Sequence, residues 1–455
     1  MIHLLVFFFL KLYNYNVLRS DIMKYFFAGI EGSGMAALAS MLYDSGNSVI
    51  GCDDAKTYTF TKAELDKRNI PVYKDAEQLE KDMVFVYTGA LSSDHYAIKK
   101  AKELGCVMYE YYEMLGELTR KYDTISICGT HGKTTTTAML SHVLENTIGT
   151  NYLIGDGTGY INKNSNNFVV ESCEFRRHFL NYTPKYTIIT NIFLDHVDYY
   201  KDLDDVISAF QEFVDKTKEK VIACGDNPNV KKLKSDKIVY YGLNEGNYVR
   251  GIIKELREDG SNFDVYIGNE FFGNFNINIF GEHMIENALA CIYVAYLNDI
   301  SKDDIIKYLN DFKGAKRRFS EEHIGDVVIV DDYAHHPNEV ATVLKTARQK
   351  YPNKELVPVL VPYTISRTEA FYKEFAEVLK TADKVYVTDI EPAREKFEDY
   401  PGVTSDLIIN EIPGAEHISA EEISKLYKHK NAVIPFMGCK DPTWLIDAYK
   451  EGLEK

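Results

Sequence analysis

The chain has 455 residues, 45% of them hydrophobic and 26% charged, a composition suited to a soluble globular enzyme of about two to four domains. Its 52 Lys and Arg face 68 Asp and Glu, a net charge of −16 with no long basic run, which argues against a nucleic-acid partner because an acidic surface repels phosphate. The seven cysteines, Cys52, Cys106, Cys128, Cys173, Cys224, Cys291 and Cys439, form no CxxC pair and read as the reduced thiols of a cytoplasmic protein.

The N-terminus carries an apolar run from Ile2 to Leu10, too short to span a bilayer. It also lacks the basic flank and small-residue cleavage site of a signal peptide, so no stable membrane insertion is expected. Met23 opens "MKYFFAGIEGSGM", a natural first strand and glycine turn. Residues 1–22 therefore read as an extension from a mis-assigned start.

From Lys24 onward, apolar strands alternate with helical segments. "KYFFAGI", "SVIGCDD" and "DMVFVYTGA" are strands of a first series, with the helix "GMAALASMLYDSG" after the first. A second series runs through "DTISICGT", "NFVVESCE", "YTIITNI" and "KVIACGD", and a third through "DVVIVDDY", "LVPVLVPY", "KVYVTDI" and "AVIPFMG". Such alternation predicts mostly parallel sheets covered by helices. Boundaries near Leu118 and Gly314 divide the chain into α/β domains at 23–118, 119–314 and 315–455.

The second series opens on "ICGTHGKTTTT". A common P-loop has a glycine five residues before Gly132, where this chain has Ile127, so the loop is a shorter type. Gly129, Thr130, His131, Gly132, Lys133, Thr134 and Thr135 lie between a strand and a helix. There, backbone N–H groups and the helix dipole favour phosphate. Lys133 can reach the terminal phosphates and Thr134 can ligate Mg²⁺. Glu171 and Glu174 in "VVESCEF", and Asp195, His196 and Asp198 in "NIFLDHVDYY", follow later strands; a carboxylate in the place of Glu171 or Glu174 suits Mg²⁺, which prefers oxygen ligands.

"GTHGKTTT" resembles the ATP loop of the Mur ligases, the amide-forming enzymes of peptidoglycan synthesis, and further motifs follow in the family's order from about Met23 to the C-terminus. The resemblance implies a Rossmann-like UDP-sugar domain, a central P-loop ATPase domain and a Rossmann-like C-terminal ligase domain. It implies Glu174 and His196 as metal ligands beside Thr134, with ATP and Mg²⁺ (or Mn²⁺) as cofactors. "FGEHMIENALA" is similar to the family's adenine motif, with His283 and Asn287 matching and Met284 replacing an asparagine. In "GAKRRFS" the resemblance points to Arg318 as the guanidinium near the γ-phosphate, and in "DDYAHHP" to Asp332 at the ribose.

"GIEGSGM" is similar to the family's UDP-sugar turn, which implies contacts from Gly32, Ser33 and Gly34, with Asp53 at the end of the next strand. Glu31 is a departure, expected to point outward or to weaken UDP binding. "VPYTISRTEAF" keeps Arg367, suited to grip a carboxylate, while Tyr363 replaces a histidine; Tyr333 and His335 complete the amino-acid end. The motifs are nearest the alanine-adding branch, which implies UDP-N-acetylmuramate and L-alanine as substrates and Lys133, Arg318 and His335 as catalytic groups. A ligase that attaches a ready-made tripeptide, or a nucleotide-binding homologue with weakened catalysis, is the alternative. Monomer and homodimer both remain open.

Overall fold

The structure is a computed structural model that describes residues 22–55, 61–197, 199–393, 395–440 and 442–453. Of the expected N-terminal extension, all but Ile22 lies outside the described residues. One compact unit runs up to Asp123 and includes Thr150–Phe168; the other comprises Thr124–Gly149 and Val169 onward.

In the first unit, β1 (Lys24–Ala28) lies at the centre of a five-stranded sheet. β2 (Ser48–Cys52) and β3 (Val72–Tyr73) lie on one side, with β4 (Val84–Tyr87) and β5 (Val107–Glu110) on the other. Every pairing is parallel. Buried on both faces, β1 reads as an almost continuous apolar run, as a central parallel strand must. Helix α1 (Ser33–Asp44) follows the glycine turn, and its stretch Ala36, Ala37, Leu38 and Ala39 is wholly buried. The turn itself is fixed at Gly29, whose φ is +77° and where a Cβ would fall 2.6 Å from Thr88 Cγ2. The hairpin of β7 (Asn151–Leu153) and β8 (Gly159–Tyr160) packs in this unit too: a Cβ on Gly159 would lie 2.1 Å from the Ala37 carbonyl oxygen.

The second unit holds two further sheets. In the first, β6 (Asp123–Cys128) is flanked by β9 (Asn167–Glu171) and β10 (Tyr186–Ile189). Parallel pairing continues from β10 through β11 (Lys220–Cys224) and β12 (Ile238–Gly242) to β13 (Val249–Arg257). There the pattern changes: β13, β14 (Gly260–Ile267) and β15 (Glu270–Ile277) form an antiparallel meander. Helices α5 (Lys133–Glu145) and α7 (Glu282–Leu297) pack against each other in this part of the unit.

The remaining sheet is built around β17 (Val327–Asp332) and β22 (Ala432–Met437), which pair in parallel. Val328 and Val330 point into one hydrophobic core and Val327 and Ile329 into another, so helices cover both faces. Three parallel-rich α/β sheets match the fold class expected from the sequence. No helix among the described residues is long and apolar enough to cross a membrane.

Candidate active site

The phosphate loop leaves β6 at Cys128 and enters α5 at Lys133. Gly132 caps the helix in the left-handed region, φ +83°, and no side chain satisfies the first turn, so the open N–H groups of Lys133, Thr134 and Thr135 are available to an anion. Because β10 runs beside β6, Thr190 and Asn191 emerge next to the loop and pin it. Asn191 accepts the His131 N–H at 2.9 Å, and Thr190 donates to the His131 carbonyl at 2.6 Å. Gly129 is obligatory, since a Cβ there would sit 2.0 Å from Thr190 Oγ1 at a φ of +138°.

Lys133 folds back over the loop. Its ammonium donates to the carbonyls of Gly129 (2.5 Å) and Thr130 (3.0 Å) and to Glu174 Oε1 (3.2 Å). Burial disfavours this charge, but Glu174, Cys173 and Glu171 outweigh it and hold the Lys133 pKa above its ordinary value. His196 Nε2 lies 3.7 Å from Glu174 Oε1, and its backbone adopts a φ of +52° that non-glycine residues rarely take. Thr134 Oγ1 donates to Glu171 Oε1 at 3.2 Å, which turns the hydroxyl so that its lone pairs stay open. Glu174 Oε2 is buried and lies 3.0 Å from the Lys133 ammonium. A buried carboxylate, a hydroxyl and an imidazole fit a divalent cation that keeps water and phosphate oxygens as its other ligands. Among the described residues, no three His, Cys, Asp or Glu side chains form a metal cage by themselves. Asp198 lies outside the described residues.

A cavity of about 720 Å³ opens from the loop, lined by Gly132, Thr135, His283, Met284, Asn287, Arg318 and Asp332 among others. Asn287 reaches the start of α5: its Oδ1 lies 3.3 Å from where a Gly132 Cβ would be. Asp332 is buried at the end of β17, and its carboxylate accepts the N–H groups of Phe319 and Ala334, each at 2.8 Å. Burial pushes its pKa up to about 6 against the pull of Arg318 and those two amides. The two arginines divide their duties. Arg317 pairs with Asp331 at 3.2 Å and donates to the carbonyls of Gly438 (2.8 Å) and Cys439 (3.2 Å). Arg318 faces the cavity; burial lowers its pKa, and Glu339, Asp332 and Glu171 more than restore it.

Tyr333 lies beneath both guanidiniums, each 5.2 Å from its ring centre, and its hydroxyl accepts from Cys439 Sγ at 2.8 Å. His335 Nδ1 contacts the Tyr333 carbonyl at 2.9 Å, and Tyr363 stands edge-on to the His335 ring. Arg367 is buried, and its guanidinium donates to Asp195 Oδ1 at 2.9 Å. Burial raises the Asp195 pKa, but Arg367 and His196 draw it far below the carboxylate range.

Three family descriptions match successive parts of the chain: the Mur ligase family catalytic domain at residues 24–123, the Mur ligase middle domain at 127–295 and the Mur ligase glutamate ligase domain at 317–435. The chain belongs to the Mur ligase family. It is 44% identical, over 429 residues covering 94% of this chain and 96% of the relative, to a UDP-N-acetylmuramate–L-alanine ligase of Levilactobacillus brevis. The crystal structure of the UDP-N-acetylmuramate–alanine ligase of Thermotoga maritima superposes with a TM-score of 0.80 at 24% identity, covering 95% of this chain and 99% of that one. A murein peptide ligase of Psychrobacter arcticus gives 0.69 at 22% identity, with coverages of 94% and 98%; both likenesses are of fold.

Within the first unit of this Mur ligase, the turn before α1 brings Gly32, Ser33 and Gly34 to the helix N-terminus, where no side-chain cap occupies the first turn. Gly34 is also demanded by packing, since a Cβ would fall 2.5 Å from Tyr111 Oη. Asp53 braces the turn: its carboxylate accepts the N–H groups of Glu31 and Ala55, each at 2.8 Å. Of the two expectations for Glu31, an outward side chain is not met, since the residue is buried at 8% exposure.

Sequence reasoning missed Asn191, Glu171 as the partner of Thr134, and Glu339, whose carboxylate touches both His131 (3.2 Å) and His335 (3.2 Å). Asn191 had a signal, since it follows a strand next to the loop strand. Glu339 had only its place in the first turn of α9 (Pro337–Lys350).

Proposed function

We infer that this Mur ligase is an ATP-dependent amide ligase that joins L-alanine to the lactyl carboxylate of UDP-N-acetylmuramate. The observation that carries the chemistry is the convergence of the uncapped start of α5, Asn287, Arg318 and Asp332 on one cavity. The near-full-length match to an alanine ligase supports the choice of substrates. Residues 23–118 would hold the UDP-sugar through Gly32, Ser33, Gly34 and Asp53, residues 119–314 the ATP, and residues 315–455 the amino acid. The seven free thiols support a cytoplasmic setting.

In this reading the lactyl carboxylate attacks the γ-phosphorus and ADP leaves, giving an acyl phosphate; the amine then attacks the carbonyl carbon and inorganic phosphate departs. The work of the chain is positioning and charge neutralisation. Lys133 leaves its loop carbonyls for the phosphates, the N–H groups of α5 hold phosphate oxygens, and Arg318 meets the charge that spreads during transfer. Asn287 reads the base, and Asp332 presents its remaining lone pairs to the ribose hydroxyls. Thr134, Glu174 and His196 would hold Mg²⁺, which when bound supplies positive charge to the phosphate oxygens. His335 would take the proton from the amine, with Tyr333 and Arg367 completing the amino-acid end.

Phosphate release from ATP, measured with UDP-N-acetylmuramate and either L-alanine, a cell-wall tripeptide or no amine, tests the proposal. Turnover with L-alanine is expected. Turnover with the tripeptide alone would replace it by the peptide ligase, and none with either would leave a nucleotide-binding homologue.

A further inference from the structure

Glu339 joins two histidines that the motifs treat separately. His336 caps α9, Pro337 opens it, and Glu339 falls in its first turn, where the helix dipole favours a carboxylate. Its Oε1 lies 3.2 Å from Nδ1 of His131, in the phosphate loop. Its Oε2 accepts the His335 backbone N–H at 3.0 Å and lies 3.2 Å from His335 Nδ1. His335 Nδ1 also faces the Tyr333 carbonyl at 2.9 Å. All of these partners are acceptors, so the proton of each ring belongs on Nδ1. His131 Nε2 agrees: it is buried without a hydrogen-bond partner, and a bare lone pair there is tolerated better than an unmet N–H donor.

We propose that Glu339 is the positioning residue of the amide-forming step, holding His131 and His335 in the Nδ1–H tautomer so that His335 presents its Nε2 lone pair to the incoming ammonium. One N–H bond of the ammonium breaks, its proton passes to Nε2, and the freed electron pair forms the bond to the acyl-phosphate carbon; as the C–O bond to phosphate breaks, the departing phosphate takes the second amine proton and leaves the neutral amide. Through His131 the same carboxylate ties this end to the loop that holds the nucleotide. The inference rests on the ligase reading above.

Glu339→Gln keeps the size of the side chain but offers one acceptor oxygen, and its NH₂ must face one of the rings. Two assays on the full chain follow it. Hydroxylamine traps the acyl phosphate formed from ATP and UDP-N-acetylmuramate without alanine, and amide product is measured with alanine. In the variant, the ratio of amide formed to hydroxamate trapped should fall at least about tenfold, within the range of general acid–base contributions. Parallel loss of both would overturn the proposal. Nitrogen-15 spectra of histidine-labelled protein, with His335→Asn and His131→Asn for assignment, should show both rings as Nδ1–H in the wild type and at least one changed by Glu339→Gln. A wild-type His335 protonated only at Nε2 would sink the idea without any variant. Failure of the ligase reading is a separate result, because the wild type would then form neither hydroxamate nor amide.

Discussion

Removing Lys133 tests the site before any nucleotide binds. Lys133 Nζ lies 3.0 Å from Glu174 Oε2, with the two side chains 15% and 3% exposed. At an effective dielectric of about 20, that separation is worth roughly 5–6 kcal/mol of attraction, much of it offset by desolvating both ions. Lys133→Ala leaves the Glu174 carboxylate buried without its cation, a loss expected to cost about 3–5 kcal/mol. The added substitution Glu174→Gln removes that stranded charge, so the double variant Lys133→Ala, Glu174→Gln should recover most of the loss. Urea unfolding without nucleotide measures both. Turnover does not discriminate, since each variant should lose at least about 10²-fold in kcat with the lysine at the phosphates gone. A single variant within about 1 kcal/mol of wild type, or a double variant no more stable than the single, would refute the buried-pair argument.

Gly129→Ala places a Cβ 2.0 Å from Thr190 Oγ1 at a φ of +138°; strain of about 1–3 kcal/mol should distort the loop and raise the KM for ATP, and an unchanged KM would remove Gly129 from the site. Arg317→Ala breaks the ties to Asp331, Gly438 and Cys439 and should lower the melting temperature. Arg318→Ala should cut kcat by roughly 10²-fold, where Arg317→Ala acts chiefly through stability, and the reverse pattern would exchange their roles. His336 is buried, and burial and His131 lower its pKa to about 4. Between that value and the ordinary one near 6.5 the unfolded chain binds the proton and the folded chain does not, so stability rises with pH across this window. His336→Asn keeps a side-chain cap for the helix and should flatten the slope, which amounts to at most roughly 3 kcal/mol; an unchanged acid limb would show that other groups set it.

Much of this protein is written in local pattern. The apolar runs at Lys24–Ala28 and Val327–Asp332 became the strands expected, because a strand covered on both faces can be apolar on both; Asp123–Cys128 became one too, with Thr124 and Ser126 buried. The loop from Gly129 to Thr135 was legible for a similar reason: glycine at a positive φ, then lysine and threonine at a helix start, is a constraint carried by neighbours in sequence. The antiparallel meander had a cue in Gly268 and Asn269, a two-residue turn between alternating strands, that the βαβ pattern masked.

What folding alone decided concerns groups whose partners are far away in the chain. Nothing near Arg367 announces that Asp195 will occupy it, 172 residues earlier, and nothing near Glu339 announces His131, 208 residues away. The same holds for Arg317 and Arg318, neighbours in sequence that the structure sends to different tasks, one to the carbonyls of Gly438 and Cys439 and the other to the cavity. Residue type and spacing determine which chemistry the chain can carry. Which charge meets which partner is set by the packing that brings distant strand ends together and removes their water, since only there do a few ångströms decide an electrostatic outcome.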